Sequence, residues 1–184
     1  MFDTVWGMCY NRAVMAGNIV LIGFMGAGKS SVSEFLAKQL GWELVSTDAL
    51  IESREGRTIT EIFKTDKEPY FRQVEKDVVV QVGQKDSLVI DCGGGVVLDA
   101  ENIANLKENG RIFYLKASPD EIYLRIKKET HRPLLYTETP LKKIEELLAQ
   151  RATFYEQADY IIDTNGRSID VICQEIVDLV KSEK

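Results

Sequence analysis

A chain of 184 residues, 45% hydrophobic and 28% charged, has the length and balance of one globular domain with a sizeable core. Its formal net charge of −6 argues against a general nucleic-acid binder, so any anion it takes must meet a few well-placed cations and backbone N–H groups. No apolar run is long enough to span a membrane, the scattered Cys9, Cys92 and Cys173 suit a reducing cytosol, and the lone His131 excludes a His-rich metal cluster.

In chain order, residues 1–17 have no clear period and no signal-peptide pattern, and read as a dispensable extension before one domain over 18–184. Ile19–Gly23 reads as a strand and Lys29–Leu40 as a helix stopped by Gly41. A second strand, Glu43–Ser46, precedes a helix opened by Asp48. Thr58 and Glu61 have capping-box spacing for a short helix. Pro69–Val82 reads as a longer helix with Phe71, Val74, Val78 and Val82 on one face.

Leu88–Asp91 is a third strand, and Ala100–Asn109 a helix capped by Asp99. Arg111–Leu115 is a fourth strand, followed by a helix start at Ser118-Pro119-Asp120-Glu121. Thr130–Thr139, holding His131, Arg132 and Pro133, is irregular and reads as a lid. Helix Pro140–Gln157, strand Tyr160–Asp163 and helix Ile169–Lys181 complete the set. Strands alternating with helices predict an α/β fold around a parallel sheet.

Gly23-Phe24-Met25-Gly26-Ala27-Gly28-Lys29-Ser30 matches G-x-x-x-x-G-K-[ST], between a strand and a helix as the motif requires. Its glycines let backbone N–H groups turn inward around phosphates, and the helix N-terminus adds partial positive charge. Gly26, Ala27, Gly28, Lys29, Ser30 and Ser31 are therefore the ATP-binding candidates. Lys29 reaches the β- and γ-phosphates, and Ser30 is placed to ligate Mg²⁺. The motif alone does not separate kinases from other P-loop proteins.

A second constellation narrows the class. Arg72 and Glu75 lie three apart on one helix, Asp91-Cys92-Gly93-Gly94-Gly95 ends an apolar strand, and Arg151 and Tyr155 are one turn apart. With Asp48 and Arg132-Pro133-Leu134-Leu135, this ordered set, from about Asn18 to Asp163, resembles the shikimate kinase family.

The resemblance implies a three-layer P-loop kinase fold, a five-stranded parallel sheet of order 2-3-1-4-5 flanked by helices. It implies ATP-dependent phosphorylation of shikimate at its 3-hydroxyl, in chorismate and aromatic amino acid biosynthesis, by a cytoplasmic monomer with ATP and shikimate as its small-molecule partners. Arg72 and Arg151 then clamp the shikimate carboxylate, Asp48 binds and orients or deprotonates the attacking hydroxyl, and Gly94 lets backbone N–H approach the substrate. Arg132 is the lid arginine over ATP, a catalytic residue with Lys29 and Asp48, and Glu75 supports Arg72. Arg167, in the Asn165-Gly166-Arg167 loop, is a candidate for stacking on adenine.

The chain departs from the family at Ser46-Thr47-Asp48, where many members carry Asp-x-Asp and the first Asp helps hold hydrated Mg²⁺. Asp91, at the end of the strand expected beside it, is either a substitute carboxylate on the metal side with Ser30 or a cap for the following loop. Another small-molecule P-loop kinase, acting on gluconate or a nucleoside monophosphate, is the nearest rival; a catalytically silent protein of the same fold is the other.

Overall fold

The structure, a computed structural model, describes residues 17–127 and 138–182. The elements are β1 (Asn18–Ile22), α1 (Lys29–Leu40), β2 (Glu43–Ser46), α2 (Thr47–Glu55), α3 (Ile59–Thr65), α4 (Lys67–Gly83) and β3 (Leu88–Asp91). A 3₁₀ turn, Val96–Leu98, leads to α5 (Ala100–Glu108), β4 (Gly110–Lys116), α6 (Pro119–Ile126), α7 (Pro140–Tyr155), β5 (Tyr160–Asp163) and α8 (Ile169–Ser182).

The five strands are parallel, in the expected order β2-β3-β1-β4-β5. Strand alternation divides the core into two layers. On β1, Val20 and Ile22 pack on one face and Ile19 and Leu21 on the other; on β4, Ile112 and Tyr114 oppose Phe113 and Leu115. The first face carries residues of α2 through α7 and the second those of α1 and α8, so helices cover both sides of the sheet. The central strands β3, β1 and β4 are largely apolar because both of their faces are buried, while the edge strands β2 and β5 leave Leu44 and Ile161 exposed.

Local signals set the helix ends. Thr58 and Glu61 form the capping box of α3, Asp99 accepts from the Glu101 N–H at the start of α5, and Ser118 caps α6. Gly41 and Gly56 close α1 and α2 in the left-handed conformation. The helix starting at Pro69 by sequence begins two residues earlier, at Lys67, whose φ of 71° is unusual for a side chain of its size. Residues 1–16 and most of the expected lid, including His131, Arg132 and Pro133, lie outside the described residues. Among the described residues, no helix is long and apolar enough to cross a membrane.

Candidate active site

The C-terminal ends of β1, β2 and β3 open into a cleft of about 740 Å³, the location and size expected of a ligand site in an open α/β sheet. Its floor is the loop between β1 and α1. Gly28 precedes the first residue of α1 with φ 98°, which a side chain would resist, and this directs the loop into the helix N-terminus. Lys29 donates from Nζ to the Gly23 carbonyl at 3.0 Å and to the Phe24 carbonyl at 3.4 Å, so its ammonium lies over the loop. Gly26, Gly28, Lys29, Ser30 and Ser31 line the cleft, while Ala27 is buried beneath it.

One wall is acidic. Ser46 and Asp91 are register partners at the ends of β2 and β3. The Ser46 hydroxyl accepts the Ala49 N–H at 3.3 Å and so caps α2. Asp91 Oδ2 accepts a 2.7 Å hydrogen bond from Ser30 Oγ. Of the two readings left open for Asp91, this contact belongs to the one that faces the phosphate loop. Two residues along from Ser46, Asp48 enters the cleft.

Burial pushes the Asp48 carboxyl above its ordinary range, the Lys29 ammonium opposes that shift, and the charges of Asp91 and Glu52 add to it. Burial likewise raises Asp91, against the pull of Lys29 and the Ser30 hydroxyl. The Lys29 ammonium therefore acts on both half-buried carboxylates, near the place where phosphate charge is expected.

The facing wall is cationic. Arg72, on α4, donates from Nη1 to Glu75 Oε2 at 2.7 Å and from Nε and Nη2 to Glu68 Oε1 at 3.2 and 3.0 Å. Burial works to lower its pKa, but these two carboxylates together hold it above the ordinary value. Glu75 is 1% exposed, and burial raises its carboxyl despite Arg72. Arg151, from α7, reaches the same cleft with its guanidinium 5.9 Å from the Phe24 ring. Ile59, Phe63 and Phe71 add an apolar side, with the Phe63 and Phe71 rings 4.7 Å apart.

The three-glycine loop after β3 lies between these walls. A Cβ on Gly94 would meet only ordinary contacts, the Gly23 carbonyl oxygen at 3.5 Å and the Met25 nitrogen at 3.7 Å. The tight positions are its neighbours. A Cβ on Gly93 would collide with the Asp48 carboxylate, and one on Gly95 would lie 2.7 Å from the Arg72 guanidinium. Gly93 and Gly95 thus serve as flat seats for the acid and the arginine. Thr47, fully buried, accepts the Gly93 N–H at 3.0 Å and ties the loop to the start of α2.

Arg167 is turned elsewhere. Its guanidinium pairs with Glu175 on α8 and donates to the Asp163 carbonyl at 2.8 Å, outside the lining of this cleft. The arginine at the edge of the phosphate loop is Arg125. It donates to the Ala27 carbonyl at 3.0 Å and the Thr164 carbonyl at 2.8 Å, and it lines the cleft. The sequence hides it, because Arg125 four residues after Glu121 reads as an ordinary surface pair on a helix. Glu68 and Phe63 carry no motif either. Arg132 lies outside the described residues.

A phosphate loop on a parallel 2-3-1-4-5 sheet, opening beside a half-buried acid and two arginines, defines a P-loop small-molecule kinase. Residues 25–181 match the family model described as shikimate kinase, and the chain belongs to the shikimate kinase family. It is 46% identical over 160 residues to a shikimate kinase of Thermodesulfovibrio yellowstonii, a match covering 87% of this chain and 92% of that one. A shikimate kinase of Caldanaerobacter subterraneus is 44% identical over 160 residues, covering 87% and 94%. The solved structure of shikimate kinase from Acinetobacter baumannii in complex with shikimate is 37% identical, with a TM-score of 0.85 over 91% of this chain and 94% of that one.

Proposed function

We propose that this cleft transfers the γ-phosphoryl group of ATP to the 3-hydroxyl of shikimate, giving shikimate 3-phosphate and ADP. The observation that carries the reading is the meeting of Lys29 and Ser30 with Asp48, Arg72 and Arg151 in one cleft, within a chain of this family.

In this reading the work is divided among the residues of the cleft. Arg72 and Arg151 hold the substrate carboxylate, for which a planar guanidinium is suited by its paired donors. Asp48 accepts the hydrogen bond of the attacking hydroxyl and takes its proton as the new O–P bond forms and the bond to ADP breaks. Its raised affinity for a proton helps at that moment. Lys29 and the loop N–H groups offset charge on the transferring group. Glu75 and Glu68 fix the fork of Arg72, and Arg132 completes the reading as the lid arginine.

The residues present fit Mg²⁺. Ser30 and the Asp91 carboxylate are in direct contact beside the phosphate loop, and Asp91 has the charge that Ser46 lacks. Ser30 and Asp91 would hold the ion, which neutralises phosphate charge when bound. We assign the working domain to residues 18–184, with 1–17 dispensable, and a monomer in the cytoplasm, in keeping with the free, buried thiols of Cys92 and Cys173.

A coupled assay with ATP, Mg²⁺ and shikimate tests the reading. ADP formation that depends on shikimate is expected, with gluconate inactive. Turnover of gluconate in preference, or no turnover of either by the folded protein, would overturn it.

A further inference from the structure

Tyr155, the last residue of α7, is one turn beyond Arg151 and is 0% exposed. Its hydroxyl donates a 2.7 Å hydrogen bond to the Gly94 carbonyl, sixty-one residues away in sequence. Its ring stacks on Tyr114 of β4, with centroids 4.9 Å apart and planes 10° from parallel. A phenol held on a sheet residue by stacking has little freedom to tilt, so the bond fixes the direction of that carbonyl.

The neighbouring carbonyls are engaged by local turns: Gly93 accepts from the Val96 N–H and Gly95 from the Leu98 N–H. The Gly94 carbonyl instead takes a side-chain donor from another element. Among the described residues every peptide bond is trans. In a planar trans peptide the Gly94 C=O and the Gly95 N–H point in opposite directions. With the carbonyl directed down at a buried phenol, the Gly95 N–H is directed up, toward the cleft that Gly95 lines. A peptide between two glycines has little steric resistance to turning over, so this orientation needs an anchor.

We propose that Tyr155 is a positioning residue for substrate binding, its hydroxyl holding the Gly94–Gly95 peptide so that the Gly95 N–H donates to the anionic substrate clamped by Arg72. The same bond keeps Gly93 and Gly95 flat beneath the Asp48 carboxylate and the Arg72 guanidinium, the two groups that a turned loop would displace. It also joins the loop to the helix that carries Arg151. One hydroxyl thereby sets three substrate-facing groups from beneath. The proposal rests on the reading of the cleft as the shikimate site.

Tyr155→Phe removes the anchor, together with the hydroxyl's contact to the Arg151 guanidinium, and leaves the ring and its stack on Tyr114. The expected result is a rise of about tenfold in the KM for shikimate, with the KM for ATP little changed, since the phosphate loop is held by other bonds. An unchanged KM for shikimate, or equal rises for both substrates, would overturn the proposal; the second pattern marks general loosening. Should Tyr155→Phe fail to fold, the wild-type protein supplies the test. Saturating shikimate should shift the Gly95 amide resonance in the ¹⁵N–¹H spectrum, and a Gly95 amide unmoved by shikimate would refute the assignment. A wild-type protein that does not phosphorylate shikimate defeats the functional reading and this proposal with it. Wild-type turnover with an unaffected Tyr155→Phe variant defeats the proposal alone.

Discussion

The hydroxyl of Ser30, in the first turn of α1, donates a 2.7 Å hydrogen bond to Asp91 at the end of β3. The parallel register that pairs Leu21 of β1 with Asp91 brings β3 beside the phosphate loop, and the same register sets Ser46 of β2 on its other side. A carboxylate thus lies beside the position-46 hydroxyl, on the strand next to the phosphate-loop strand. Asp91→Asn is expected to raise the Mg²⁺ concentration needed for half-maximal rate, and Ser46→Asp to restore part of that loss. Titration of Mg²⁺ at fixed ATP checks both. An Asp91→Asn enzyme with the wild-type magnesium dependence would remove Asp91 from the metal site.

Lys29→Ala should abolish turnover and leave the fold intact. The ammonium donates to the Gly23 and Phe24 carbonyls and has no place in the packed apolar core; its loss removes the cation that offsets Asp48 and Asp91, whose carboxyls then hold protons more readily. The expected pair of results is a native circular dichroism spectrum and no detectable ADP formation. Near-normal turnover would show that another cation serves the γ-phosphate.

Arg72→Ala and Arg151→Ala should each raise the KM for shikimate by about tenfold or more, since a hydrogen bond to a charged group contributes roughly 1.5–3 kcal/mol. They should differ in stability. Arg72→Ala strands Glu75, which is 1% exposed and bonded to Arg72, so its Tm should fall further than that of Arg151→Ala. Adding Glu75→Gln to Arg72→Ala should recover part of the lost Tm without recovering substrate affinity. Thermal melts beside steady-state kinetics separate the two effects.

Asp48 should cost stability where it serves chemistry. Its folded pKa is raised, by burial first, so between its unfolded and folded values the native state binds more protons than the unfolded chain. Stability from this group is full below the unfolded pKa and is lost as pH rises through the folded one. Asp48→Asn, which removes the charge, should therefore raise the Tm near neutral pH while abolishing turnover, and the gain should shrink as pH falls. A lowered Tm at neutral pH would show that the ionised carboxylate is stabilised in the fold.

Lys67→Gly should stabilise the protein by about 0.5–1 kcal/mol. Lys67 holds a φ of 71° at the start of α4, a left-handed conformation that costs a residue with a Cβ roughly 1–2 kcal/mol and a glycine almost nothing. Glycine returns part of that gain through the entropy of the unfolded chain. Urea unfolding should show a higher midpoint with an unchanged slope; an unchanged midpoint would mean the strain is relieved elsewhere.

The sequence by itself determined the parts whose chemistry is contiguous. Eight successive residues from Gly23 to Ser30 carry the phosphate loop, because backbone N–H groups and glycine dihedrals act over a few bonds. Thr58 with Glu61 and Asp99 at the start of α5 fix helix ends for the same local reason. The sheet order came with the family resemblance that the ordered motifs carry, and right-handed crossovers from the phosphate-loop strand agree with it.

Tertiary structure decided what depends on where distant segments meet. It put Arg125 at the phosphate loop and paired Arg167 with Glu175, although the two look alike as arginines on or near helices. It made Gly93 and Gly95 tight positions, because only the packed chain brings the Asp48 carboxylate and the Arg72 guanidinium against that loop. It placed the Tyr155 hydroxyl on the Gly94 carbonyl, a contact between residues sixty-one apart whose spacing has no period to reveal it. Local rules specify dihedrals and caps; the direction of a side chain across a cleft is fixed only when strand register and helix packing are complete.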